Sequence, residues 1–352
     1  MKLVFVYWGF ENAGSMLDLR GYTRAARAMG HDVTVYGPPN SKLALDYSKD
    51  LAGVDAIVFI NEWTTNLQFG DRVDWVRLVS AVPRRRRVVI DCDGGYNEPI
   101  KFRGDYNHRT EEESRHWIEV CDSLSDKLFQ PTPRPRRANV RPFLFHIYDP
   151  TWEAPLDFAA KEFSMVYVGH TKFRWHGMSQ VLRALERVRD QVGRVALVGE
   201  GWDLGPPEWT RWLDVKDNYF VDLDYLKRLR VETYPAIPYP QVTATMARGV
   251  FNPVVYRPLF ECLGMVTCRT FETPAAGTIP LFLLDREYVR EIYGDAAAAE
   301  LVLGGERPHE KILDTLARPE HYAEIVRGIR AEFGRRHSPE ARLRELIGII
   351  EE

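Results

Sequence analysis

Cysteine is scarce in this chain. Four occur in 352 residues, Cys92, Cys121, Cys262 and Cys268, and none forms a C-x-x-C pair. That excludes a disulfide framework and a thiolate zinc knuckle as organisers of the fold. The four read as free thiols of a reducing, cytoplasmic setting. Long apolar runs are missing too. No stretch approaches the roughly 20 residues that span a bilayer, so no integral membrane association is expected. The apolar start, residues 3–8, is too short for a signal peptide and meets Glu11 instead of a cleavage site, so it reads as a first buried strand. Charge of one sign is absent: 47 Lys and Arg stand against 50 Asp and Glu, a net of -3. Such a balance gives no global pull toward nucleic acid or anionic lipid, and no nucleic-acid partner is expected. Several signatures are also missing. Gly9 and Gly14 bracket Glu11 and Asn12 without making G-x-G-x-x-G, and neither a P-loop nor a G-x-S-x-G elbow occurs. There is no repeat of solenoid length and no low-complexity tract.

What is present is a long alternation of apolar runs and helical segments. At 45% hydrophobic over 352 residues the chain has material for two cores. Residues 3–8, 31–36, 55–61, 87–93 and 127–130 read as buried parallel strands. Ser15 opens the first helix, with Asp18 placed as in a capping box. Between Pro131 and Pro155 six prolines crowd among arginines, an extended, semi-rigid passage between domains. A second series follows, with strands at 163–169, 194–199, 249–254 and 281–284, Pro253 marking the end of the third. The charged helical tail, from about His309, is long enough to lie back across the first domain. The expected organisation is an N-terminal domain over 1–145, a connection over 146–160, a C-terminal domain over 161–335 and a last helix over 336–352.

Ligands of parallel α/β sheets sit at the carboxyl ends of the strands. In the first domain those ends bring Glu11, Asn12, Glu62, Trp63, Asp93 and Tyr96 toward a cleft. Asp93 is the first candidate for acid/base work, with Glu11 and Glu62 behind it; a turn cap at Gly94-Gly95 explains Asp93 equally well. Asp91-Cys92-Asp93 is a poor metal clamp, because it lies far in sequence from the basic loop described next, and no metal is expected. In the second domain, Gly169 to Gly177 sets His170, Lys172, Arg174 and His176 between glycines, after a strand and before a helix. Cations and free amides at a helix start suit a diphosphate, and a solvated basic loop is the alternative. Gly199 ends the next strand. Arg269-Thr270-Phe271-Glu272-Thr273-Pro274-Ala275-Ala276-Gly277 reads as a short helix with a carboxylate in its first turn, feeding a buried strand. A nucleotide site or a plain helix-strand joint would each use these residues. Arg84 to Arg87 precede a strand at the end of the sheet away from the cleft, and read as a solvated loop.

These segments resemble the GT-B glycosyltransferases, and the second half resembles their CgeB-like, spore-coat-type branch. The likeness rests on Val168-Gly169 with its basic loop, on Ile237-Pro238-Tyr239-Pro240-Gln241-Val242 leading to Val250-Phe251-Asn252-Pro253, and on Arg269 to Pro280. It covers about residues 160–345. The neighbouring retaining families carry a second glutamate where this chain has Gly264, and an arginine where it has His170. The resemblance implies two Rossmann-like parallel-sheet domains facing across a cleft, with a C-terminal helix returning to the first. It implies transfer of a sugar from a nucleoside diphosphate donor to a polar acceptor, a small molecule or a glycan, with no cofactor beyond that co-substrate. Gly169, His170, Lys172, Arg174, Gly199, Arg269, Thr270, Phe271 and Glu272 would bind the donor, Glu272 gripping the ribose. Asn12, Trp63 and Tyr96 would face the acceptor. A sugar-nucleotide epimerase of the same fold and a non-catalytic nucleotide- or carbohydrate-binding protein are the rival readings.

Overall fold

The computed structural model describes residues 1–7, 15–37, 45–62, 73–100, 111–205 and 220–352. Glu11, Asn12 and Trp63 lie outside them. Two parallel sheets organise the described chain. In the first, β1 (Lys2–Val6), β2 (Asp32–Tyr36), β3 (Tyr47–Ser48), β4 (Ala56–Asn61), β5 (Arg87–Asp91), β6 (Lys127–Gln130) and β7 (Val140–Pro142) lie in the order 3-2-1-4-5-6-7. Helices α1 (Ser15–Ala28), α2 (Trp75–Ala81) and α3 (Glu111–Leu124) accompany it. Its central strands are buried on both faces, which is why they read as unbroken apolar runs. The second sheet holds β8 (Phe163–Val168), β9 (Val195–Val198), β10 (Val231–Tyr234), β11 (Gly249–Val254) and β12 (Ile279–Phe282), in the order 10-9-8-11-12. Around it lie α4 (Trp175–Glu186), α5 (Leu223–Arg228), α6 (Val242–Met246), α7 (Pro258–Leu263) and α8 (Cys268–Ala275). Then come α9 (Arg286–Tyr293), α10 (Asp295–Glu300), α11 (Pro308–Ala317), α12 (Pro319–Arg336) and α13 (Pro339–Glu351). In both sheets the first strand is central and the order reverses beside it, which opens a crevice at the carboxyl ends.

Three expectations change. The fourth strand stops at Asp91, not Asp93, because the Asp91 carboxylate turns the chain: it accepts from Gly95 N at 3.0 Å and Tyr96 N at 2.7 Å. The proline-rich passage is no free connector. Its Val140–Pro142 part joins the sheet edge, where proline's missing N–H is tolerated, and Phe143, Phe145, Ile147 and Tyr148 are fully buried. The Asp18 carboxylate is directed out of its own helix, toward residues 146–147.

The last helix, α13, packs Leu343, Leu346, Ile349 and Ile350 into the first domain's core beside Met16, Leu19 and Tyr22 of α1. Its final carbonyls are received by the first domain: Lys127 Nζ donates to Ile349 O at 2.7 Å and Ile350 O at 3.1 Å, and Arg86 Nη1 to Ile350 O at 3.4 Å. Arg84 serves α3 in the same way, donating to Asp122 O and, at 2.8 Å, to Ser123 O. The arginine run is thus more than a solvated loop. It places cations at the negative ends of two helices. Where the chain leaves and re-enters the first domain the two passages touch, Tyr148 N donating to His337 O at 2.8 Å.

Candidate active site between the two sheets

The second domain's share begins at Gly169 and Gly199, the residues that follow β8 and β9. They lie back to back: a side chain at Gly199 would overlap the Gly169 carbonyl, and both have φ values open mainly to glycine, 155° and 148°. Trp202 Nε1 donates to that same carbonyl at 2.6 Å. The loop held this way leads through His170, Lys172 and Phe173 to Arg174, the N-cap of α4. Phe173 sits at φ 63°, in the left-handed region, a strained turn of the kind functional loops tolerate. The loop's cations converge. Arg174 Nη1 is buried with no hydrogen-bond partner, and burial, with Arg269 near it, lowers the guanidinium's pKa. His170 Nδ1 is likewise buried without a partner, and burial, then Arg174 and Lys172, bring its pKa down to about 3. His170 is therefore a neutral imidazole, not a third cation. Lys172 is exposed, its Nζ 5.5 Å from the Phe173 ring centre.

Helix α8 supplies the rest. It starts one residue earlier than the sequence suggested, at Cys268 behind the Thr267 N-cap, so Glu272 lies in the second turn rather than the first. Thr270 completes a capping box with Thr267 and also meets Tyr256 Oη at 2.5 Å. Phe271 is fully buried against Phe333 and His337, with ring centres 5.0 and 5.2 Å away. Both hold the helix in place and neither presents a group to a donor. Glu272 does. Only 2% exposed, it accepts from Tyr239 Oη, while its Oε2 has no hydrogen bond and lies 3.4 Å from Arg269 Nη1. Burial, assisted by Asp18 and opposed by His146, raises its pKa to about 8. At the other end of the helix Arg330 of α12 binds the last carbonyls, with Nε 2.8 Å from Pro274 O and Nη2 3.2 Å from Ala275 O.

In the first domain, Asp91 is spent on the turn amides and on Gln130 Nε2, which donates to it at 2.8 Å. The Asp93 turn lies against the second domain: Gly94 packs so closely on Leu263 of α7 that a side chain would overlap it. Asp93, half-buried, thus stands where the domains meet. Tyr96 does not. It is 1% exposed in the core, its hydroxyl donating to Asp122 and accepting from Asn139 Nδ2 at 2.7 Å, so it cannot touch an acceptor. Glu62 follows β4 and accepts from Tyr7 Oη at 2.9 Å. Burial raises its pKa and His146 counters. Burial raises the pKa of the Cys268 thiol at the start of α8; Arg269 opposes the rise, and Asp18 and Glu62 add to it. Asp18 and His146, bonded at 2.7 Å, complete this side of the cleft. They stand 128 positions apart, and nothing local in the sequence joins them. Among the described residues no three His, Cys, Asp or Glu side chains converge as a metal site.

Two Rossmann-like domains face across a cleft, with cations and a buried carboxylate on one side and further carboxylates on the other. Residues 176–348 match the family model of glycosyl transferase-like proteins. Among solved structures, an alpha-glucosyltransferase in complex with UDP-glucose and DNA containing an abasic site superposes with a TM-score of 0.63, over 100% of this chain and 99% of that one, at 13% identity. A T4 phage beta-glucosyltransferase superposes at 0.52 over the whole of both chains, at 12% identity. T4 phage BGT in complex with UDP and Mn2+ superposes at 0.54, with the same coverage and identity. At such identities the likeness is one of fold. No curated protein sequence matches the chain. The chain has the two-domain fold of the GT-B glycosyltransferases, and its second half carries the glycosyl transferase-like family match.

Proposed function

We propose that this glycosyltransferase takes its sugar from a nucleoside diphosphate donor bound by the second domain and passes it to a polar acceptor, a small molecule or glycan, admitted from the first, without a metal. One observation carries the reading. Arg174 Nη1, His170 Nδ1 and Glu272 Oε2 are buried polar atoms without hydrogen-bond partners, grouped around Arg269 between the start of α4 and α8. Buried polar groups are normally satisfied, and three orphans grouped in one cleft are what a bound ligand would satisfy. The cations suit a diphosphate, whose developing charge they would receive as the glycosidic bond breaks. Glu272 suits the ribose hydroxyls. The Arg269-Thr270-Phe271-Glu272 helix and the Asn252-Pro253 strand end favour the CgeB-like branch.

On the acceptor side Glu62 is the general base this geometry favours, a shielded carboxylate whose hold on a proton burial strengthens. Asp93 is the second candidate. The acceptor's O–H gives its proton to the base, and its oxygen bonds to the anomeric carbon. The bond from that carbon to the diphosphate oxygen breaks, and its electron pair leaves with the nucleoside diphosphate. The acidic lining, Asp18, Glu62 and Glu272, favours an uncharged or amine-bearing acceptor over a phosphate backbone, although one structural neighbour is seen with DNA. Calorimetry with UDP, GDP, ADP and TDP, followed by product analysis with their sugars and a panel of glycosides, phenols, amines and DNA, tests this. A conjugate supports it. A free epimer, or binding without turnover on any acceptor, overturns it.

A further inference from the structure

The proline- and arginine-rich passage has no part in that reading, yet its first residues, Pro131 to Arg137, lie on the second domain. They meet the short joint, Gly264 to Val266, between α7 and α8. Thr132 is 1% exposed, and its hydroxyl donates to Leu263 O at 2.9 Å. That carbonyl belongs to the last turn of α7, where no partner exists within the helix. Arg136 Nη2 reaches the carbonyl before it, Cys262 O, at 3.2 Å. Pro131 O accepts from Val266 N at 2.6 Å, one residue before the Thr267 N-cap of α8. The joint turns at Gly264, with φ 59°, and a Cβ there would stand 3.4 Å from the Thr132 hydroxyl. The first domain thus caps the end of α7 and receives the amide that leads into α8. The same loop is tied to the Asp93 turn. Gln130, immediately before Pro131 and 1% exposed, donates from Nε2 to Asp91 at 2.8 Å, and Asp91 holds the amides of Gly95 and Tyr96. Gly94 of that turn packs on Leu263. At its other end α8 is held by the chain crossing, Ala154 N donating to Ala275 O at 2.8 Å.

We infer that Thr132 is a positioning residue for sugar transfer: with Pro131 it seats the start of α8 on the first domain, and so fixes Arg269 and Glu272 against the Asp93 turn. The inference rests on the transferase reading, with the donor on α8 and the acceptor across the cleft. The seat and the crossing lie at opposite ends of α8, so the seat stops a swing that the crossing alone leaves free. Thr132 touches no substrate and exchanges no proton in the step described above. It acts through alignment, because a misplacement of about 1 Å between reacting groups costs on the order of a hundredfold in rate. On the same reading the donor's contacts all lie in the second domain, so loosening the seat leaves donor binding intact.

The test joins amide hydrogen exchange to kinetics on the full-length protein. In wild type the Val266 amide should exchange about a hundredfold or more slowly than in an open chain; an unprotected amide overturns the inference with no variant needed. Thr132→Val keeps the shape and removes the hydroxyl. It should speed exchange over residues 263–268 by about tenfold or more. It should lower kcat for transfer from UDP-glucose to the best acceptor of the panel above by about tenfold or more, and leave the Kd for UDP within about twofold. Thr132→Ser, which restores the hydroxyl, should return kcat to within about twofold of wild type. A role in stability alone would lower the melting temperature of Thr132→Val and leave kcat unmoved well below it. That result overturns the inference, as does a serine that fails to rescue. If Thr132→Val does not fold, Arg136→Ala decides, because Arg136 is on the exposed side of the same loop. It should lower kcat by about threefold with UDP affinity unmoved, and an unmoved kcat overturns the inference. A wild type that binds no nucleoside diphosphate sinks the transferase reading instead, and leaves hydrogen exchange to judge the seat.

Discussion

Glu272 is under opposing demands, and both are measurable. As a ribose acceptor it should be worth about 1.5–3 kcal/mol to donor binding above about pH 8, where it is ionised, the range for a hydrogen bond to a charged group. Glu272→Gln should therefore weaken UDP by that amount in calorimetry; unchanged affinity in a folded variant would refute the role. Its pKa is raised to about 8 from an ordinary glutamate's 4.5. The folded state then holds a proton that the unfolded state has released, so stability is full below about 4.5 and is lost as pH rises through about 8. Glu272→Gln has no such loss, and should melt at a higher temperature than wild type at pH 9 and at a similar temperature at pH 4.5. Arg174 is argued differently, because its target is charge. Arg174→Ala should weaken UDP far more than uridine, and Lys172→Ala should do so less, since an exposed ammonium is already well solvated. Equal small losses for both ligands would make the loop ordinary surface. Much of this was legible in the sequence, because a strand end, a glycine and a basic run before a helix are local signals. The direction of each side chain is not local. Thr270, Phe271 and Tyr96 sit among the expected residues yet point into packing, and only the fold brings Asp18 to His146.

Elements set where those residues stand. The back-to-back contact of Gly169 and Gly199 leaves no room for a methyl group, so Gly199→Ala should displace the loop that carries His170 to Arg174. The expected result is a folded but less stable protein that has lost most of its affinity for UDP; retained affinity would show that the loop is not fixed there. Helix α8 is held at its carboxyl end by Arg330 and at its start by its own capping box, so its central carboxylate moves only if the whole rod moves. The long central strands were readable because burial on both faces forces continuous apolar runs. The strands β3, β7 and β10 were not: two to four residues long, half-buried or proline-bearing, they exist because a neighbouring strand offers them hydrogen bonds. The tail's return was readable in outline from its length. What fixes it is tertiary, Leu346 and its neighbours entering the first domain's core. Leu346→Ala should cost about 2–5 kcal/mol in denaturant unfolding, the usual range for a buried leucine. A loss below about 1 kcal/mol would show that the helix is only loosely applied.

For the molecule as a whole, the donor side carries cations where a metal-dependent transferase would need free carboxylates. Glu272 is engaged by Tyr239 and Arg269, and Asp91 by turn amides. Turnover should therefore survive EDTA; activity lost on chelation and restored by Mn2+ would overturn the metal-independent reading. The balanced net charge of -3 adds no long-range steering, so acceptor choice must come from the cleft lining itself. One feature of the connectivity governs how that lining closes. The chain crosses between the domains twice, and the crossings are bonded to each other through Tyr148 N and His337 O. Two strands pinned side by side behave as a door on a pair of adjacent hinge pins: they swing about one soft axis and resist shear and twist across it. A closure about that axis would bring Glu62 to the same register against α8 each time, so the route of the chain between its domains limits how far the cleft lining can fall out of alignment.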